Sequence, residues 1–377
     1  MKLDANKEIF FSLLKAGLWE REVKIPAGSN VDWGQIHRLA EEQSVVGLMA
    51  AATEQVKGMT IPQEWALQFI GEALVIEQRN KAMNAFVGKL MERLQGAGIR
   101  ALLLKGQGIG QCYGRPLWRT CGDVDLFLNE EDYAKSKDLL LPAASSVEKE
   151  HKKKKHQGMT IDGWVVELHG RLYSGLSSRV EKVMDDIRQD TFCDGQVRSW
   201  MNGNTNILLL KAENDAFYVF THILGHFYKG GIGLRQICDW CRLLYTYKDS
   251  LNHELLESRI KKAGLMTEWK TFGALAVKYL GMPVEAMPLI NSSNAQEFKK
   301  FKRKADRIME FVMMSGNFGH NRDMNYYSKY PYLMRKCISM GRRISDLFRH
   351  ARIFPMDSLL FSVSIINNGI RSAVRGE

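Results

Sequence analysis

The sequence predicts an α+β fold: a small mixed β-sheet flanked by N-terminal and C-terminal helical regions. Three observations predict it. Apolar residues recur at three- and four-residue intervals through most of the chain. Only eight prolines occur in 377 residues, which leaves room for long helices. Between about residues 99 and 170 the helical period gives way to short apolar or alternating runs, the pattern of strands. Hydrophobic residues make up 45% and charged residues 25%, a globular balance that excludes disordered, collagen-like and coiled-coil chains.

Residues 1–80 are expected to be an N-terminal helical region, from Ile9, Phe10, Leu13, Leu14 and Leu18, then Ile36, Leu39, Val45, Val46 and Leu48. Leu74, Ile76, Met83, Phe86, Leu90, Met91 and Leu94 continue as an amphipathic helix. Gly96 and Gly98 end it, because glycine tolerates the left-handed cap conformation. An α/β core is expected over 81–205. Residues 99–104 form a short apolar run bounded by Gly98 and Gly106, a buried strand, and residues 123–128 (Asp-Val-Asp-Leu-Phe-Leu) form another. Asn129 is a good N-cap for a helix through Leu141, with Glu130 and Glu131 in its first turn. Residues 142–146 read as a turn. Residues 147–157 and 159–169 flank Gly158 and read as a hairpin, its second strand running from Thr160 to His169. From Ile207 the helical period returns with Leu208, Leu209 and Leu210, then Phe217, Phe220, Ile223, Leu224 and Phe227. A C-terminal helical domain is thus expected over 206–377, with residues 291–294 (Asn-Ser-Ser-Asn) as a loop. No internal repeat or low-complexity tract is evident.

Lysine and arginine outnumber aspartate and glutamate by 53 to 42, a net charge of +11. That favours an anionic partner (nucleotide, nucleic acid or anionic lipid) without choosing among them. Six cysteines in a chain of this length do not make a disulfide framework. No apolar run approaches the roughly 18 residues of a membrane span. The first residues lack an apolar signal core, so a cytoplasmic location is expected.

The densest cluster of unusual residues runs from Leu104 to Asp125. A strand entering Lys105-Gly106 and then a short helix would present free backbone amides, which suits a phosphate. The glycines match neither standard nucleotide motif: Gln107 follows Lys105-Gly106 where a P-loop needs Lys-Ser/Thr, and Tyr113 stands where a Rossmann turn starting at Gly108 needs glycine. A phosphate loop of another type and a plain tight turn both remain open. Asp123 and Asp125 are two apart on a strand and so share a face. Two adjacent carboxylates require a cation or an exposed edge, and Val124, Leu126, Phe127 and Leu128 argue against exposure. Glu167 is a third acid inside an apolar stretch, costly unless paired or metal-bound. One sheet can gather all three around two magnesium ions.

At these residues the sequence resembles the nucleotidyltransferase superfamily with the DNA polymerase β-like catalytic fold. The shared pattern is a glycine-containing turn, here Lys105-Gly106, then Asp123-Val124-Asp125, then a single later acid, Glu167. Leu104-Lys105-Gly106, Tyr113, Pro116, Arg119 and Gly122 to Asp125 look more specifically like an uncharacterised nucleotidyltransferase branch. That branch is echoed in Glu167-Leu168-His169 and in His222, Arg235 and Asp239. The resemblance is specific over about 95–170. Better-known members carry Gly-Ser in the turn, where this chain has Lys-Gly.

The resemblance implies a metal-dependent transferase that moves a nucleoside monophosphate from a nucleoside triphosphate to a hydroxyl acceptor and releases pyrophosphate. Asp123, Asp125 and Glu167 would be the catalytic acids and hold two Mg2+ ions, with Mn2+ as an alternative. Lys105, Gly106, Arg119, His169 and Arg235 would bind nucleotide. The acceptor could be a protein, a small molecule or RNA. The alternative is a non-catalytic nucleotide- or RNA-binding protein that keeps the fold.

Each candidate has a plainer reading. Arg119 could instead pair with Asp123 or Asp125, and His169 could be structural. His222 and His226, four apart, could bind metal, but the glutamate of a zinc-protease helix is missing. Arg235 and Asp239 have the spacing of a helical salt bridge. Cys238 and Cys241 sit in helical spacing and read as buried free cysteines. Lys152, Lys153, Lys154 and Lys155 form either a solvated face or a contact for a polyanionic acceptor. The basic C-terminal half includes residues 299–307 and Arg335, Lys336, Arg342, Arg343, Arg349 and Arg352. With Phe301, Phe348 and Phe354 interleaved, it is either a solvated surface or a contact for RNA or a membrane surface.

Overall fold

The computed structural model describes residues 4–26, 28–290, 295–317, 330–355 and 358. The loop expected at 291–294 lies outside the described residues. The N-terminal region is helical: α1 (Ala5–Trp19), α2 (Trp33–Glu42), α3 (Val46–Thr53) and the long α4 (Gln63–Gly96). Two-residue strands β1 (Val23–Lys24) and β2 (Val56–Lys57) pair in parallel between them. Asp4 and Asp32 cap α1 and α2, accepting from the backbone N–H groups of Lys7 and Gln35. Phe10, Leu13, Leu14, Leu18 and Ile36 are buried, as their spacing predicts. Helix α4 runs unbroken through residue 80, and Gly98 follows it at φ +70°.

The sheet has seven strands: β3 (Ala101–Leu104), β4 (Asp123–Leu128), β5 (Ser146–Val147), β6 (His156–Ile161), β7 (Trp164–His169), β8 (Val197–Asn202) and β9 (Thr205–Leu210). Their order is β5-β6-β7-β4-β3-β9-β8. It is mixed because β4 runs antiparallel to β3 but parallel to β7, while β9 runs parallel to β3. Between the strands lie α5 (Gly106–Gly110), α6 (Glu130–Leu140) and α7 (Ser178–Phe192). Asn129 caps α6 through its side chain, as its place before three acids predicts.

Two sequence expectations need correction. Gly158 is not the hairpin turn; it lies inside β6, opposite Glu167. The turn is Asp162-Gly163, both at positive φ (+49° and +80°), the backbone twist that two-residue hairpins favour. The helical period also does not resume at Ile207. Residues 207–210 belong to β9, with Leu102 and Leu103 beside Leu208 and Leu209. Four successive apolar residues carry no period of their own, so helix and buried strand look alike there.

Strand parity sorts the sheet into two faces. Leu103, Val124, Leu126, Leu128, Val166, Leu168 and Leu209 pack in a cluster with Phe86, Leu90, Met91 and Leu94 of α4 and Leu140 of α6. Leu102, Leu104, Phe127 and Leu210 join a larger core on the other face. That core contains residues of α1–α3 together with the C-terminal helices α8 (Ala212–Lys229), α9 (Leu234–Thr246), α10 (His253–Ala263), α11 (Met266–Leu280), α12 (Ala295–Ser315) and α13 (Tyr332–Ala351). The two helical flanks meet directly. Trp19 Nε1 donates to the Leu280 carbonyl at 2.6 Å, and the Phe11 and Tyr279 rings lie 5.5 Å apart. Among the described residues, no helix is long and apolar enough to cross a membrane.

Candidate metal- and nucleotide-binding cleft

The face that carries Leu104 and Phe127 also carries the acids. Asp123 and Asp125 alternate with buried Val124 and Leu126 on β4, and Asp125 stands directly beside Glu167 in the parallel β4–β7 ladder. His169, two residues beyond Glu167, shares its face, and β6 brings His156 opposite His169. Above this corner is a cavity of about 230 Å³. Lys105, Gly106, Arg119, Asp123, Asp125, Glu167 and Arg235 line it, all the predicted site residues except His169. His169 is held behind them, its Nε2 2.9 Å from Asp125 Oδ1 and 3.5 Å from Glu167 Oε2. From the helical side His222, His226 and Asp239 complete the wall.

The electrostatics follow from this geometry. Asp125 is 2% exposed; burial opposes its charge, but Lys105 and His169 outweigh burial and hold its carboxyl below the usual range. Lys105 Nζ lies 3.1 Å from Asp125 Oδ2. Burial works against that ammonium, yet Asp125, Tyr218 and Asp123 keep its pKa above normal. Glu167 is pulled well down by His156 and His169, whose Nε2 atoms face its Oε2. Burial and Asp125 push Asp123 the other way, upward. No hydrogen bond from a described residue reaches the Asp123 carboxylate. Asp123, Asp125 and Glu167 line one cavity and offer carboxylate oxygens of the kind a divalent cation takes, although among the described residues the three are not gathered within 4.8 Å of one another.

The turn that carries Lys105 is strained. Lys105 has φ +50° and ψ −137°, and Gly106 has φ +44°. Only the second of these is occupied by the residue that adopts positive φ without cost.

Arg119 does not pair with Asp123 or Asp125. Its Nε and Nη2 donate to Oδ1 and Oδ2 of Asp239 at 3.0 and 2.7 Å, and the Tyr113 hydroxyl donates to Asp239 Oδ1 at 2.8 Å. The helical pair expected between Arg235 and Asp239 is therefore replaced by a longer-range one, and Arg235 Nη1 instead donates to the Thr120 carbonyl at 2.6 Å. Arg119 Nη1 and Arg235 Nε are buried without hydrogen-bond partners. Both residues line the cavity, so their leftover donors suit an anion there.

The His222 and His226 rings meet edge to face at 72°, with their Nε2 atoms 3.0 Å apart. Burial, with repulsion from Lys105, depresses both, His226 to about 4, so they are neutral at neutral pH. Cys238 and Cys241 are buried free thiols whose pKa values burial raises. In the lysine run Lys155 pairs with Glu130, and Lys154 lies 4.7 Å over the Tyr173 ring. Phe301 and Phe354 are in the core and cannot stack on a nucleic acid, whereas Phe348 is exposed.

Sequence reasoning missed two residues here. His156 directly follows the Lys152 to Lys155 run and is not singled out by the sequence; only the β6–β7 register puts it on Glu167. Tyr218, next to Phe217 in the helical stripe, is not singled out by the sequence, yet Lys105 Nζ is 6.0 Å from its ring.

Comparison with known families decides the class. The model of the uncharacterised nucleotidyltransferase family matches residues 29–281, more than half of the chain. The chain belongs to that family. The match spans the acids on β4 and β7, the Lys105 turn and helices α8 and α9, so every cavity-lining residue of this nucleotidyltransferase family member lies within it. No curated protein and no solved structure matches the chain.

Proposed function

We propose that the chain transfers a nucleoside monophosphate from a nucleoside triphosphate to a hydroxyl acceptor, with pyrophosphate as the other product. The observation that carries this reading is the ladder pairing of Asp125 with Glu167, with Asp123 on the same face of the same cavity. Those three carboxylates would hold two magnesium or manganese ions. Such ions, when bound, neutralise phosphate charge and lower the pKa of an acceptor hydroxyl. Arg119 and Arg235 would meet the phosphates with their unpartnered N–H groups, and the Gly106 turn would allow close approach of backbone to a phosphate oxygen. Arg119 is held rigidly by Asp239, so it would orient the phosphates without losing side-chain freedom on binding. Attack on the α-phosphorus would form the acceptor O–P bond and break the bond to the β-phosphate oxygen.

One observation favours a second reading, a nucleotide binder without turnover. Lys105 Nζ already pairs with Asp125, placing a cation of the protein's own among the acids. Incubation of a cell extract and the purified chain with α-labelled and γ-labelled nucleoside triphosphates separates the two. The transferase reading predicts a labelled acceptor from the α-label only, dependent on divalent metal. A binder yields no labelled acceptor from either.

A further inference from the structure

The corner of the sheet behind the cavity holds a donor set that an oxygen-preferring ion does not need. His156 Nε2 lies 3.1 Å from Glu167 Oε2, and His169 Nε2 lies 3.5 Å from the same oxygen. All three ligand atoms lie within 4.8 Å of one another, and the two imidazole rings are 4.8 Å apart. These residues sit on adjacent strands, His156 directly across from His169, so the backbone ladder fixes their spacing. Each is partly buried and partly open to solvent, which leaves an entry path.

Magnesium, calcium and manganese suit oxygen ligands, whereas imidazole suits zinc, copper, iron and nickel. Two imidazoles and one carboxylate are the mixed nitrogen–oxygen set typical of such ions. We propose that His156, Glu167 and His169 form a binding site for a nitrogen-preferring transition-metal dication, distinct in ligand chemistry from the carboxylate-only site. In the structure as it stands, His156 Nε2 is hydrogen-bonded to Glu167 Oε2, whereas His169 Nε2 is hydrogen-bonded to Asp125 Oδ1. A metal would replace those protons, taking Nε2 of each histidine and Oε2 of Glu167. Because Asp125 Oδ1 is 2.9 Å from His169 Nε2, the ion would also lie beside the acids of the cleft. The proposal concerns metal binding alone, and Glu167 is the residue it shares with the transferase reading.

A second group, His37 with Glu41 and Glu72, also brings three donors together, but it offers one imidazole only and its Glu41 is largely exposed. It is removed from the test by working in a His37→Gln background. The experiment titrates the chelator-treated full chain with cobalt(II), without nucleotide, and follows the visible d–d absorption together with equilibrium dialysis. The expected result is one bound cobalt per chain that a large excess of magnesium does not displace. His156→Gln should weaken it by roughly 10- to 100-fold or more, on the scale of lost metal-site partners. Asp123→Asn, which belongs to the carboxylate site, should leave it within a few-fold, and circular dichroism checks that each variant folds. Equal cobalt affinity with and without His156, loss of cobalt in Asp123→Asn but not His156→Gln, or ready displacement by magnesium would each overturn the proposal. Nucleotidyl transfer could fail with cobalt binding intact, or the reverse, so the two readings stand or fall separately.

Discussion

Asp239 receives both Nε and Nη2 of Arg119, at 3.0 and 2.7 Å, across 120 residues of sequence. This fork ties the loop before β4 to helix α9 and closes the far wall of the cavity. Burial opposes the guanidinium charge, and Asp239 more than restores it, so Arg119 stays charged. Replacing Asp239 by alanine leaves a cation buried without its partner and the Tyr113 hydroxyl without its acceptor. The expected cost is about 3–5 kcal/mol, read by urea unfolding. Asp239→Asn keeps an acceptor and should cost less. A loss below about 1 kcal/mol for the alanine variant, the size of an exposed pair, would mean the fork is not a structural tie.

Asp123 is destabilised where it stands, by burial and then by Asp125. Asp123→Asn removes that repulsion. In the metal-free chain it should raise the melting temperature by about 1–2 °C, the shift that ~1 kcal/mol produces in a cooperative unit of this length. The same change should abolish any magnesium-dependent stabilisation by nucleotide. A lowered melting temperature without metal would show that the carboxylate makes a favourable contact instead.

Buried neutral histidines give the stability a pH dependence whose sign is fixed. In the unfolded chain His222 and His226 titrate near 6.5, whereas in the folded chain burial and the nearby cations Lys105, Lys229 and Arg235 hold both lower, His226 at about 4. The unfolded state therefore binds more protons in between. Their contribution is complete above about pH 6.5 and is lost as pH falls from there toward 4. Between pH 7.5 and 5 the wild type should lose about 2–4 kcal/mol more than a His222→Gln/His226→Gln double variant. Equal losses in denaturant titrations at the two pH values would remove the histidines from the explanation.

Lys105 combines a strained backbone with a charge that Asp125 uses. Lys105→Ala loses the ammonium and keeps the strain, whereas Lys105→Gly loses the ammonium and relieves it. Both should be less stable than wild type, with glycine recovering about 1–3 kcal/mol relative to alanine. An alanine variant as stable as the glycine one would show that the turn relaxes freely.

Much of this was legible in the sequence because the signals were local. Asn129 before three acids marks a helix start, and Asp-Val-Asp followed by apolar residues marks a strand entering a core. Both features are found where they were expected. What was hidden depended on register or on long-range pairing. Gly158 looked like punctuation, but Asp162-Gly163 supplies the positive-φ pair that a two-residue hairpin needs. Residues 207–210 lack any period, and only their place beside β3 makes them a strand. Arg119 has several acids near it in sequence, yet its partner comes from α9, where Asp239 read as half of a helical pair. His156 could be placed on Glu167 only after the hairpin turn was moved by five residues.

The central claim is that Asp123, Asp125 and Glu167 jointly hold metal for a nucleotide. Its most direct measurement is a thermal shift with ATP, GTP, CTP and UTP, each with and without magnesium, on wild type and on Asp123→Asn/Asp125→Asn. Stabilisation of the wild type by at least one nucleotide, only when metal is present, and none in the double variant is the predicted result. Nucleotide stabilisation that needs no metal and persists undiminished in the double variant would contradict the claim.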